Sequence, residues 1–69
     1  MDFWVCINDD GEPIIFSGEH PKPEKINGLW CKSHLICSGE VWVYTFFEDG
    51  ILDGVSAGEC AKKNVECAL

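Results

Sequence analysis

The chain has 69 residues, of which 46% are hydrophobic and 12% aromatic, and its twelve acidic residues outnumber five lysines, with no arginine, for a formal net charge of −7. This length allows one domain, 1–69, and so apolar a composition excludes a disordered chain. The scarcity of basic residues argues against direct binding of nucleic-acid phosphates, and no apolar run approaches the roughly 20 residues of a membrane-spanning helix.

The first predicted element is a β-hairpin. Residues 3–7 (FWVCI) form a β-rich run, Asp10 and Gly11 make a typical hairpin turn, and residues 14–16 return as the second strand. Because the first run is apolar throughout, both faces of its strand must be covered.

The middle of the chain is predicted to hold two more strands and a connector. Prolines alternate with charged residues over 19–28, which favours an extended connector. Residues 29–32 are predicted as a short third strand, 33–39 as a loop and 40–47 (EVWVYTFF) as a long strand. After an acidic turn, residues 51–55 are predicted as a short return strand.

The end of the chain has a helical pattern. Ser56 and Glu59 have the spacing of a capping box, and small or apolar side chains recur at near-helical intervals, so residues 57–67 are predicted as a helix. Together these elements predict an α+β fold. It has an antiparallel sheet of four or five strands, either open or closed like a barrel, and one short C-terminal helix.

One short helix can cover only one face of such a sheet, whereas the strand predicted at 40–47 is apolar on both. Closure into a barrel, formation of a homodimer or binding of another protein would each cover the second face. We expect a barrel or a homodimer before a fully exposed patch, which would favour aggregation. Trp42 and Tyr44 on this strand are the predicted aromatic contacts to a partner.

The five cysteines are predicted to be thiols, because their number is odd and no secretory signal pattern opens the chain. A cytoplasmic location is expected for the same reason. In an oxidising buffer Cys60 or Cys67 could form a disulfide with an earlier cysteine. Cys31, His34 and Cys37 could instead supply three zinc ligands, with Cys60 or Cys67 as the fourth. The simpler interpretation, which we favour, is a set of thiols beside a solvated histidine, with no cofactor.

No pattern in the chain joins a nucleophile to a base or makes a phosphate-binding loop, so a non-enzymatic protein is expected. Turns favour acidic residues for conformational reasons alone, but acidic surfaces also attract basic partners. The acidic residues predicted to contact a partner lie at the two hairpin turns and are Asp9, Asp10, Glu12, Glu48, Asp49 and Asp53.

The function expected from these features is stoichiometric inhibition or adaptation of a larger protein. The chain would occupy a basic, nucleic-acid-binding surface of that protein, with carboxylates in place of phosphates. Phage-encoded counter-defence factors such as anti-CRISPR proteins are of this size and charge. The alternatives are a zinc-stabilised module built on Cys31, His34 and Cys37, and a homodimeric structural protein with no other partner.

Overall fold

The computed structural model of the chain describes residues 1–31, 34–47 and 50–65. Their strands and helix are, in chain order, β1 (Asp2–Ile7), β2 (Pro13–Ser17), β3 (Glu24–Ile26), β4 (Leu29–Cys31), β5 (Leu35–Ser38), α1 (Glu40–Phe46) and β6 (Cys60–Asn64). A four-stranded antiparallel sheet has the order β5-β2-β1-β6, and β3 and β4 form a separate two-stranded sheet. The fold is therefore mixed α+β, as predicted, but the larger sheet is open and does not close into a barrel.

The first hairpin is confirmed. β1 and β2 pair antiparallel around a loop in which the Asn8 amide donates to the Glu12 carbonyl at 2.9 Å. Gly11 has a φ of +93°, a conformation that favours glycine. The Asp10 side chain accepts a hydrogen bond from the Glu12 amide at 2.9 Å, which explains locally why an aspartate precedes this glycine.

The strand predicted at 40–47 is wrong, because residues 40–46 form the helix α1. Gly39, with a φ of +88°, turns the chain out of β5, and the Val43 amide donates to its carbonyl at 3.0 Å. In this helix Val43 reaches the core, where Phe47, the residue that follows the helix, also packs, and Phe46 lies partly buried beside them. Packing onto the sheet overrides the β-propensity of this segment.

The predicted C-terminal helix is also wrong over its described part. The Ser56 amide does donate to the Glu59 carboxylate at 3.0 Å, the contact expected in a capping box. It closes a turn, however, in which Gly58 has a φ of +84°, and the chain then enters β6 alongside β1. Residues 66 and 67 of the prediction lie outside the described residues.

The middle of the chain contains more regular structure than predicted. The connector predicted at 19–28 contains β3, which turns through Asn27 and Gly28, both with positive φ, into β4. β4 agrees with the third predicted strand up to Cys31, whereas the loop predicted at 33–39 contains β5. Residues 51–54 form turns, so the return strand predicted there is wrong.

Both faces of the sheet are covered within one chain. On the first face, α1 and the turns after it complete a buried cluster of Phe3, Val5, Ile15, Cys37, Val43, Phe47 and Ile51. On the second face, Cys6, Ile14 and Phe16 are buried beneath the partly buried Trp4, Trp30 and Cys60. A second copy of the chain is therefore not needed to hide the second face.

The β3–β4 hairpin is held on the second face by polar contacts with the end of β1. The Trp30 indole N–H donates to the Ile7 carbonyl at 3.0 Å, and the Trp30 amide donates to the side chain of Asn8 at 2.7 Å. Asn8 is only 3% exposed, so this bond satisfies a buried polar group. The Asp9 amide adds a bond to the Gly28 carbonyl at 2.9 Å.

Cys6 and Cys60 form a disulfide between β1 and β6, one of the pairings that the sequence allowed in an oxidising buffer, whereas thiols were expected in a cytoplasm. They lie directly opposite each other in the ladder, with Cα atoms 4.0 Å apart. In the reducing cytoplasm predicted for the chain, the same pair would become two thiols. Cys31 is exposed and not part of a disulfide.

The helix α1 has seven residues, and among the described residues no helix is long and apolar enough to span a bilayer.

Gly18 follows β2 where its chain approaches the start of β1. Its amide donates to the Asp2 carbonyl at 2.9 Å, and a Cβ atom at this position would overlap that same carbonyl group. The Gly18→Ala variant is expected to lose about 2 kcal/mol of unfolding free energy, because backbone must move to relieve the overlap.

Urea denaturation followed by circular dichroism measures this loss. Gly11→Ala is the control, since a Cβ at Gly11 meets no atom within 4 Å and only the positive φ opposes it. That strain costs about 1 kcal/mol. Gly18 has no positive φ, so a Gly18→Ala variant that loses no stability would show that the approach to Asp2 is not restrictive.

Candidate protein-binding groove

Two segments that are distant in sequence form an open groove of about 630 Å³. Residues 10–13 of the first hairpin line one side, and residues 39–42 at the start of α1 line the other. The Gly39 amide donates to the Pro13 carbonyl at 2.9 Å and holds the two segments together. We call this site the acidic groove, after its carboxylate residues Asp10, Glu12 and Glu40.

The carboxylates of the acidic groove are not neutralised by lysines of the described chain. Asp10, Glu12 and Glu40 are all exposed, and none of them forms an ion pair with another described residue. The ion pairs of the described residues join other carboxylates, and are Lys25–Asp9 at 3.0 Å and Lys62–Asp2 at 4.0 Å. The groove therefore concentrates negative charge in one place.

An apolar surface continues from the groove along α1. Because Val43 faces the core, the helix presents Val41, Trp42 and Tyr44 to solvent, with side chains 77%, 57% and 47% exposed. Trp42 stacks on Phe46, with ring centroids 5.8 Å apart and planes at 16°. Trp42 thus joins the acidic groove to the exposed face of the helix.

Trp42 differs from the other two tryptophans. Both others donate their indole N–H to a backbone carbonyl and lie beneath lysine ammonium groups: Lys62 is 5.6 Å from the Trp4 ring centroid, and Lys22 and Lys25 are each 5.8 Å from that of Trp30. In the described chain, no cation covers the Trp42 ring. Its exposure is thus not explained by a contact within the fold.

The structure brings together three of the residues predicted to contact a partner, Asp10, Glu12 and Trp42. Tyr44 is exposed on the same helix but does not line the groove, and Asp9 is paired with Lys25. The remaining acidic predictions are separate: Asp53 lies in the turns after α1, while Glu48 and Asp49 lie outside the described residues.

Sequence reasoning missed Glu40 and Val41 as groove residues because it placed them on a strand. Glycine is tolerated at a helix N-cap and acidic residues are favoured in the first turn, and Gly39 followed by Glu40 meets both conditions. With a helix starting there, Glu40 and Val41 lie beside Trp42 at one end of α1.

The side chains of the zinc alternative are not brought together. Cys60 is bonded to Cys6, and Cys37 is buried in the cluster on the first face of the sheet. His34 stacks on His20 with ring centroids 3.5 Å apart. Over residues 1–31, 34–47 and 50–65, no three His, Cys, Asp or Glu side chains are placed to hold a metal ion together. Cys67 lies outside these ranges.

The lining of the acidic groove limits the chemistry that it offers. Residues 10–13 and 39–42 contain carboxylates, an indole and aliphatic groups, but no serine, cysteine, histidine or lysine. This set suits the binding of a cation with an apolar neighbour. The chain matches no known protein family, no curated protein and no solved structure.

Proposed function

We propose that the chain is a small acidic protein-binding module, acting as a stoichiometric inhibitor or adaptor. In this role the acidic groove and the exposed face of α1 dock on a basic surface of a larger protein. The observation that carries the proposal is the position of three carboxylates, none ion-paired with a residue that the structure describes, beside an exposed tryptophan.

The two parts of this surface would contribute differently to binding. The carboxylates of Asp10, Glu12 and Glu40 would attract a basic partner and orient it during the encounter. Trp42 and Val41 would supply apolar area that the partner buries, and tryptophan is among the residues that contribute most at interface centres. Such a surface needs no catalytic group.

The distribution of lysines supports the choice of this surface. Lys22, Lys25 and Lys62 lie over tryptophans of the second face of the sheet. Lys63 lies on the first face, where it donates to the Ile51 and Asp53 carbonyls, but it does not line the acidic groove. None of these four described lysines therefore forms an ion pair with a groove carboxylate. A surface that normally binds nucleic acid offers a matching positive charge.

Phage-encoded counter-defence factors, including anti-CRISPR proteins, are the class of inhibitor that we propose for the chain, with a cytoplasmic location. The basis for this choice is size and charge. In such a role the carboxylates of the groove would replace nucleic-acid phosphates on the partner and block its substrate.

A homodimer is the second candidate. Leu35 and Ile36, 52% and 48% exposed, lie on the edge strand β5 and could pair with a second copy of the chain. The register shift opposite Ile15 and Phe16 interrupts the β5 ladder, however, and disfavours long strand pairing. Light scattering on the purified chain decides this, and a monomeric mass would exclude the homodimer.

Charge reversal in the groove tests the proposed function. The Asp10→Lys/Glu12→Lys variant is expected to bind the partner roughly 100-fold more weakly, because like charges placed against a basic surface cost several kcal/mol. Its binding should also depend less on ionic strength. The partner is obtained by cross-linking to the wild-type chain, purified, and titrated by calorimetry at low and high salt.

The matched control is Glu24→Lys/Asp53→Lys, which changes the charge by the same amount at exposed positions outside the groove. It should retain most of the affinity and the one-to-one stoichiometry. A partner that binds both double variants equally, or whose nucleic-acid binding is unaffected by the wild-type chain, would contradict the proposed function.

A further inference from the structure

We propose that the acidic groove binds an arginine side chain of the partner, with the guanidinium plane stacked on Trp42 and its N–H groups directed at the groove carboxylates. This inference rests on the proposed function and specifies the chemical group that the groove recognises. Such a site would bind arginine more tightly than lysine.

The position of Trp42 is the first observation that supports an arginine site. One face of the indole is stacked on Phe46, so the ring is supported by its own helix. The side chain is nevertheless 57% exposed and lines the groove. A supported aromatic ring with open area is a platform on which a planar cation can stack.

The comparison of Trp42 with Trp4 and Trp30 is the second supporting observation. Each of the latter two is already covered by an ammonium group of this chain, at 5.6 or 5.8 Å from the ring centroid. Trp42 has no such neighbour among the described residues, although it lies beside three carboxylates. The chain contains no arginine, so a guanidinium over Trp42 has to come from another molecule.

The carboxylates account for the preference for arginine. A guanidinium can stack its face on a ring while its edge donates two parallel hydrogen bonds to a carboxylate. Glu12 and Glu40 are exposed residues from the two different segments that line the groove, and the described residues supply neither with an ion pair. An ammonium group can lie over a ring and pair with one carboxylate, as Lys25 does with Trp30 and Asp9. It is a compact, strongly hydrated charge, however, with neither a planar face nor two parallel N–H groups for one carboxylate.

Nuclear magnetic resonance on the 15N-labelled chain tests the inference with defined probes. Two glycine-spaced peptides of equal charge are titrated separately, one carrying arginines and the other lysines. The indole N–H signal of Trp42, assigned by its loss in Trp42→Phe, is expected to shift saturably while those of Trp4 and Trp30 stay in place. The arginine peptide should bind roughly two- to fivefold more tightly.

Three variants sharpen the comparison. Trp42→Leu should bind the two peptides equally, because the stacking platform is gone, and Glu12→Gln should weaken both. Asp53→Asn, outside the groove, should leave both affinities unchanged.

The outcomes separate this inference from the function on which it rests. Equal affinity of the wild-type chain for the two peptides would overturn the arginine preference while leaving the groove as a cation-binding surface. Absence of any Trp42 shift with either peptide, or shifts confined to Trp4 and Trp30, would overturn both proposals.

Discussion

The Cys6→Ala/Cys60→Ala variant is expected to lose about 4 kcal/mol of unfolding free energy, because its unfolded chain is no longer cross-linked. The disulfide joins residues 54 apart in sequence, so it restricts much of the chain when unfolded. It also fastens the edge strand β6 to β1. A 69-residue domain has little stability in reserve, so this loss is a large part of its total.

Urea denaturation with and without dithiothreitol measures this effect. The reductant should move the wild-type midpoint close to that of the double variant and leave the variant itself unchanged. Cys31→Ala removes an exposed thiol and is the control. Its denaturation midpoint should equal that of the wild-type chain both without and with the reductant. Alkylation confirms that the reductant has produced free thiols. If the wild-type midpoint still does not move, the disulfide contributes little to stability.

The Trp30→Ala variant is expected to lose about 3 kcal/mol of unfolding free energy, at the lower end for a tryptophan truncated in a core, because Trp30 is only partly buried. Its ring packs on the buried residues of the second face and donates a hydrogen bond to the Ile7 carbonyl. Removing the ring would expose the apolar residues beneath and leave the β3–β4 hairpin held mainly by its polar contacts with Asn8 and Asp9.

Trp42→Ala is the matched control for this change. The same truncation at an exposed helix position should cost no more than about 0.5 kcal/mol, chiefly the stacking on Phe46. A large loss in Trp30→Ala and a small one in Trp42→Ala would show that Trp30 stabilises the fold and that Trp42 is not needed for stability. Similar losses in the two variants would remove the distinction on which the role of Trp42 depends.

The elements predicted correctly from sequence are those set by local interactions. The Asp10 side chain caps its own turn, and Gly11 tolerates the positive φ that the turn needs, so both are visible within a few residues. The apolar alternation along β1 likewise placed Val5 and Cys6 on opposite faces of the sheet, where the structure has them.

The errors share a different origin. The segment at 40–46 has strong β-propensity, and its helical form is stabilised by Val43 and Phe47 packing on a sheet whose strands lie far away in sequence. The segment at 60–64 has helical periodicity, but as β6 it pairs with the edge of β1, including Cys60 opposite Cys6. Short segments of this kind adopt the structure that their neighbours favour.

The candidate site, too, was predicted only in part from the sequence. Acidic turns and surplus aromatic residues were evident from sequence and identified Asp10, Glu12 and Trp42 individually. Their convergence in one groove depends on the turn at Gly39 and its hydrogen bond to Pro13, which no pattern in the sequence predicts.

The sequence by itself therefore determined that the chain is acidic and aromatic-rich and that β1 has two apolar faces to cover, because charge and side-chain alternation are properties of the residues and their order. The α+β class was predicted correctly, but its helix was placed in the wrong segment. Which segment covers each face was decided only by tertiary packing: α1 lies on one side and the β3–β4 hairpin on the other. The physical reason is that isolated helices and strands of three to seven residues are marginal in water. Burial against the rest of the chain selects between them.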